Sequence, residues 1–113
     1  MSREQHNFHS RDSNVGYWGN RDEISIRVNY GNILESNVDI GDPLHGHKIG
    51  IQHFFVIHGE LVVEVEGNLV SVNKENALEI SPSTPYRVLH ASVVPCEYIV
   101  VCTVNDATDR VEY

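Results

Sequence analysis

The chain has little of what most readily assigns a protein to a class. Of its 113 residues only two are cysteine, Cys96 and Cys102, and both lie in CEYIVVC, which reads as one strand. Six steps of about 3.3 Å would set them about 20 Å apart, beyond disulfide reach, so both are expected to be reduced. No apolar run approaches the roughly 20 residues that span a bilayer, which excludes a membrane helix. The opening stretch MSREQHNFHSRDSN has no apolar core; it does not read as a signal peptide, and the cytoplasm is the simplest compartment. Positive charge is scarce: 8 Lys and Arg stand against 16 Asp and Glu, a formal net charge of -8. With no basic stripe to neutralise phosphates, nucleic acid is excluded as a partner. Nor does any segment carry a 3.6-residue apolar stripe bounded by caps, so helices are not expected to build the core.

What is present is alternation. Hydrophobic residues make up 41% of the chain, enough for one core in one domain of this length. Residues 1–20 are polar, carry His6 and His9, and read as a flexible arm that Tyr17 and Trp18 anchor at its end; residues 21–113 form the folded domain. ISIRVNY sets Ile24, Ile26, Val28 and Tyr30 on one face and Ser25, Arg27 and Asn29 on the other. LESNVDI sets Leu34, Val38 and Ile40 on a shared face more weakly. Then come QHFFVI, ELVVEVE, NLVSV, ALEI, YRVLH and CEYIVVCTV, divided by His58-Gly59, by Glu66-Gly67-Asn68, by the turn at 73–76 and by Pro82, Pro85 and Pro95. Many short β-rich segments joined by tight turns indicate an all-β sandwich, jelly roll or small barrel.

The chemistry concentrates in DPLHGHKIGIQHFFVIHGE, residues 42–60, which holds four of the seven histidines. Alternate strand residues share a side, so His45 and His47 project together, with Cα atoms roughly 6.5 to 7 Å apart. Imidazoles at that spacing reach one ion lying about 2.1 Å from each nitrogen. Gly46 between them leaves the opposite face unencumbered. His53 has the opposite parity to Gln52 and faces away, and His58 precedes a turn glycine and is exposed.

The full pattern is H-x-H-x4-Q-x6-G, and here the chain resembles the cupin superfamily. That family's first motif is H-x-H, three or four residues, a glutamate, six residues and a glycine, with Gln52 at the acidic position. The resemblance runs over roughly residues 24–104 and is sharpest across 45–61. It implies an all-β double-stranded β-helix, the cupin jelly roll, in which Gly59 ends a strand and Glu60-Leu61-Val62-Val63 begins the next. The second family motif falls on ENALEISPSTPYRVLH. There Ser83 stands in a glycine's place, Tyr86 in that of a metal-binding histidine and His90 in that of an asparagine. The resemblance implies a site at the barrel mouth for a divalent ion (Zn, Mn, Ni or Fe) held by His45, His47 and Gln52. His90 is a further ligand if residues 86, 88 and 90 share the inner face. Phe54, Val56, Tyr86 and Val88 are expected to line the pocket.

Three functions follow. The first is a metal-dependent enzyme, an isomerase or epimerase before a dioxygenase, acting on a small polar molecule. QHFFVIHGELVVEVEG, with NKENALEIS, VPCEYIVV and TDRVEY, is similar to the cupin module of type II phosphomannose isomerases, which implies a sugar-like ligand. HGHKIGIQHFFVIHG resembles the nucleotide-sugar 3,4-ketoisomerases. That resemblance implies the second function, metal-free acid–base catalysis by His45 or His47 with Tyr86 as partner acid. Arg27 and Arg87 are the only candidate barrel arginines for a diphosphate. The third is a binding module without turnover. Phe55 and Ile57, opposite in parity to Phe54 and Val56, also want cover, which points to a homodimer.

Overall fold

A computed structural model describes residues 26–104 and 106–113, with the backbone of residues 9–10 and 14–16. Its strands are β1 (His9–Ser10), β2 (Asn14–Gly16), β3 (Arg27–Ile33), β4 (His45–His47), β5 (Gln52–Val65), β6 (Asn68–Val72), β7 (Ala77–Ile80), β8 (Tyr86–Cys102) and β9 (Arg110–Glu112). A single 3-10 turn, Ala107–Asp109, precedes β9. Among the described residues no helix is long and apolar enough to cross a membrane. Most of the expected N-terminal arm, with His6, Tyr17, Trp18 and also Ile24, lies outside the described residues. The described parts of that arm pair as β1 with β2 and β2 with β3.

Two long antiparallel strands, β5 and β8, organise the molecule. The sequence divides each of them, at Gly59 and at Pro95, but the structure does not. Gly59 lies inside β5 at φ 79, where the register with β8 shifts on both sides of it. A Cβ at Gly59 would overlap the carbonyl oxygens of Val93 and Pro95. Glycine therefore lets both strands bend together here instead of ending one of them. Before the bend, β5 pairs with β7 and with the second half of β8, which carries β3 on its other edge. After it, β5 pairs with β6 and with the first half of β8, whose Tyr86 pairs with His45 of β4; β9 closes on β4. The result is the expected all-β jelly roll, a double-stranded β-helix. Its core is the inward row of β5 and β8, with Phe54, Leu61, Val63, Val88, Ala91 and Cys96 buried against one another. Both cysteines are free and buried, as expected.

Two local expectations are corrected, at LESNVDI and Gly46, and the inward face of β3 is set. LESNVDI forms no strand beyond a single bridge at Ser36. Leu34, Val38 and Ile40 are exposed, and the segment lies over the barrel mouth, tied to β8 by Asn37 N–H to Ala91 O and Ile40 N–H to Leu89 O. In β3 the expected alternation is present, and its polar face is the inward one. Arg27, Asn29, Gly31 and Ile33 pair with Cys102, Val100, Tyr98 and Cys96, all inward residues of β8. The polar set therefore faces the barrel interior, while Val28 and Tyr30 lie on the outer face. Finally, Gly46 is not unencumbered: it is buried, and a Cβ there would press on Thr84 O and the Tyr113 ring at 2.9 Å each.

Candidate active site

Inside the barrel mouth lies a cavity of about 920 Å³, within the roughly 300 to 1,000 Å³ of small-molecule sites. His45 and His47 form one wall from β4, both only 4% exposed. Cross-strand pairing sets Tyr86 directly opposite His45, and their ring centroids are 4.4 Å apart. The His45 and His47 rings are 5.8 Å apart, edge to face, and Phe54 meets Tyr86 edge-on at 5.9 Å.

Each histidine is oriented by a different partner. His45 Nδ1 lies 2.7 Å from the Pro43 carbonyl oxygen. A carbonyl can only accept, so the proton of the neutral ring sits on Nδ1 and Nε2 keeps its lone pair. Asp42 fixes that turn by accepting from Val88 N–H at 2.8 Å. His47 Nε2 lies 3.2 Å from the Tyr86 hydroxyl, and its Nδ1 lies 3.6 Å from Asp109 Oδ2. Asp109, itself buried, accepts from Ile49 N–H and Gly50 N–H at 2.9 Å each. Ser83, at the family's glycine position, takes φ 61, the left-handed conformation a glycine would supply there. Its N–H donates to His47 O at 2.6 Å.

Burial lowers the His47 pKa from 6.5 to about 4, with His45 and Arg27 adding to the shift and Asp109 opposing it. The ring is neutral at pH 7. Burial likewise raises the Tyr86 pKa above the usual phenol range, with the nearby Asp42 carboxylate adding to it. The pair is thus a neutral imidazole against a neutral phenol. With its one proton on Nε2, His47 donates to the phenol oxygen and leaves the phenol's own proton for the cavity. With that proton on Nδ1, toward Asp109, it accepts from the phenol.

The expected site residues divide. His45, His47, Gln52, Phe54, Tyr86 and Val88 all line the cavity. Val56 is buried in the core beneath it, at the level where Val56 pairs with Tyr98. The Tyr98 ring fills the space over Gly31, where a Cβ would overlap it. His90 is not among the lining residues, because the parity argument that put it with Tyr86 and Val88 fails at Leu89. Val63 pairs with Val88 but Val62 pairs with His90, so Leu89 is one extra residue on β8. A bulge of this kind transfers everything beyond it to the other face. His53 and His58 lie on the outside, near Glu79 and Glu97 at 3.7 and 3.8 Å.

These placements bear on the ion that the resemblance implies. Among the described residues no group of three or more His, Cys, Asp or Glu side chains is close enough to hold one. With His90 turned away and a protonated phenol in the expected histidine's place, His45, His47 and the neutral amide of Gln52 remain. That donor set does not meet the three imidazoles and one carboxylate of the family's usual site. Among the lining residues that escaped the sequence reading of the site are Asn29, and Arg110 at the start of β9. Arg27, weighed there only as a diphosphate contact, is the third. The signal for Arg27 and Asn29 was the polar set of ISIRVNY, whose direction the sequence left unassigned.

Solved structures show the same architecture. The chain resembles a cupin protein from Bacteroides fragilis at 15% identity (TM-score 0.63, covering 76% of this chain and 71% of that one). It resembles KdgF from Halomonas sp. at 13% identity (TM-score 0.65, 91% of each chain). It also resembles Pac13 from Streptomyces, crystallised with uridine, at 12% identity (TM-score 0.68, 100% of this chain and 88% of that one). Pac13 is described as a nucleoside dehydratase with a β-barrel. No family model and no curated protein matches the chain in sequence. The chain has the cupin jelly-roll fold.

Proposed function

We propose that the chain is a metal-independent proton-transfer enzyme, an isomerase or dehydratase, acting on a small sugar-bearing molecule in the barrel mouth. The observation that carries this reading is the 2.7 Å approach of His45 Nδ1 to the Pro43 carbonyl oxygen. The Pro43 carbonyl holds the proton on Nδ1, so the basic Nε2 is left for a substrate C–H beside the neutral Tyr86 phenol. His45 removes a proton next to a carbonyl, and the Tyr86 hydroxyl donates a hydrogen bond to the carbonyl oxygen as it gains charge. His47, with its one proton on Nε2, donates to that phenol oxygen and leaves the phenol's proton for the substrate. Return of the proton to the neighbouring carbon gives isomerisation; loss of a β-hydroxyl as water gives dehydration. The sugar-bearing substrate is supported by the resemblance to sugar ketoisomerases and by the fold shared with a nucleoside dehydratase crystallised with uridine.

The test is proton NMR in D2O with sugar phosphates, keto-deoxy nucleotide sugars and nucleosides. Deuterium incorporation or turnover is expected to survive EDTA and to fall about 100-fold or more in His45→Gln. Activity that appears only with added Zn, Mn, Ni or Fe and vanishes on chelation would establish the metal-dependent reading, with His45, His47 and Gln52 as ligands. Ligand binding with no exchange on any substrate would leave a binding module.

A further inference from the structure

Among the described residues three buried side-chain atoms have no hydrogen-bond partner: Arg27 Nε, Asn29 Oδ1 and Gln52 Nε2. All three residues line the one cavity, and the strand register sets them side by side. Cys102 of β8 pairs with Arg27 on one edge and with Gln52 on the other; in the next row Val100 pairs with Asn29 and with Phe54. Two donors and one acceptor therefore share a wall whose intervening β8 residues, Cys102 and Val100, are small.

A buried donor or acceptor left unpaired is destabilising, and more so when it is charged. Three on one wall mark a place that something fills. Arg27 is the decisive member. Its guanidinium is always protonated, yet it forms no ion pair among the described residues, while Arg87 pairs with Glu64 at 2.8 Å and Arg110 with Glu112 at 3.0 Å. Asp109, the buried acid on the β4 side, is committed to the backbone of Ile49 and Gly50. Gln52 is 2% exposed, and its unpartnered Nε2 belongs to the strand across Cys102 from Arg27. In a chain of net charge -8, a negative ligand meets general repulsion, so a local cation is what would admit one.

We propose that this wall is an oxyanion subsite. A carboxylate or phosphate group of the substrate accepts from Arg27 and Gln52, and Asn29 Oδ1 accepts from a hydroxyl beside it. The substrate is then an anionic polyhydroxy molecule, a sugar acid or a sugar phosphate. This rests on reading the cavity as the substrate site and adds to it the charge of the substrate.

Calorimetric titration with matched pairs tests the subsite: D-glucuronate against D-glucose for a carboxylate, and uridine 5'-monophosphate against uridine for a phosphate. At least one anion is expected to bind about tenfold tighter than its neutral partner, a margin that Arg27→Gln erases and Arg27→Lys keeps in part. In the wild-type protein the Arg27 Nε–H resonance is expected to shift and saturate with inorganic phosphate, a readout that needs no variant to fold. Equal binding within both pairs, a margin unchanged in Arg27→Gln, or an unmoved Nε resonance would each overturn the subsite. His45→Gln separates the two readings, because it removes proton transfer and leaves the anion margin in place. A lost margin with proton transfer intact sinks the subsite alone; a margin without proton transfer in the wild type sinks the acid–base reading alone.

Discussion

β3 and β5 flank the same stretch of β8 and follow the same two-residue alternation, yet they use it in opposite senses. β5 turns Phe54 inward and leaves His53 and Phe55 outside. β3 turns Arg27 and Asn29 inward and leaves Val28 and Tyr30 outside. The difference is what each strand faces. β5 spans both the packed core and the cavity floor, whereas β3 faces the cavity over most of its length, with only Ile33 packed against the core. A strand that lines a ligand site carries its polar residues where a packing strand carries its apolar ones, and period alone cannot tell the two apart.

Substitutions along the two strands sharpen this contrast. Leu61→Ala, on the fully buried row of β5, is expected to destabilise the protein by about 2 to 5 kcal/mol in urea unfolding. On the outer face Phe55 is 46% exposed and pairs with Ile99, next to β3. If this face holds the expected homodimer, Phe55→Asp converts a dimer to a monomer at micromolar concentration in ultracentrifugation; a wild-type monomer removes the dimer. Acid acts on β4. The folded His47 pKa is about 4 against 6.5 unfolded, so between those values the unfolded chain takes up a proton that the folded chain refuses. Stability falls as pH drops through that window, and His47→Gln is expected to flatten its share of the slope. Asn29→Val, on the cavity row of β3, is expected to leave stability unchanged or raise it by about 1 kcal/mol, because it replaces an unpartnered polar atom with an apolar one. His90→Ala is expected to stay within about 0.5 kcal/mol and to leave ligand binding untouched.

Much of the site was legible. The pair His45 and His47 and the outward His53 follow from spacing and strand parity, and the exposed His58 from the turn glycine after it, whereas Gln52 as the third pocket residue and Tyr86 in the histidine's place follow from the resemblance to the cupin motifs. The all-β class follows from many short alternating segments, and the resemblance to cupins narrows it to the jelly roll. What escaped has physical reasons. The inward direction of the polar face of β3 turns on a cavity that only the assembled barrel creates. The exclusion of His90 turns on one extra residue at Leu89, and a bulge leaves no mark in composition. Gly59 announced a backbone that L side chains avoid, but a bend shared by two strands and a turn ending one of them ask for the same residue. Asp109 lies far from the histidines in sequence, and nothing local connects its carboxylate to the backbone at 49–50.

The clamp that β9 places on β4 has a consequence for synthesis. His45, Gly46 and His47 pair with Glu112, Val111 and Arg110, and Lys48 N–H donates to Asp109 O at 2.8 Å. A chain emerging from the ribosome presents both histidines long before it presents the strand that holds them. Pairing of β5 with β8 needs nothing beyond residue 102, but the histidine wall of the cavity gains its β9 partner only after residues 109–112 have cleared the exit tunnel. Until then the barrel lacks the strand that holds its histidine wall.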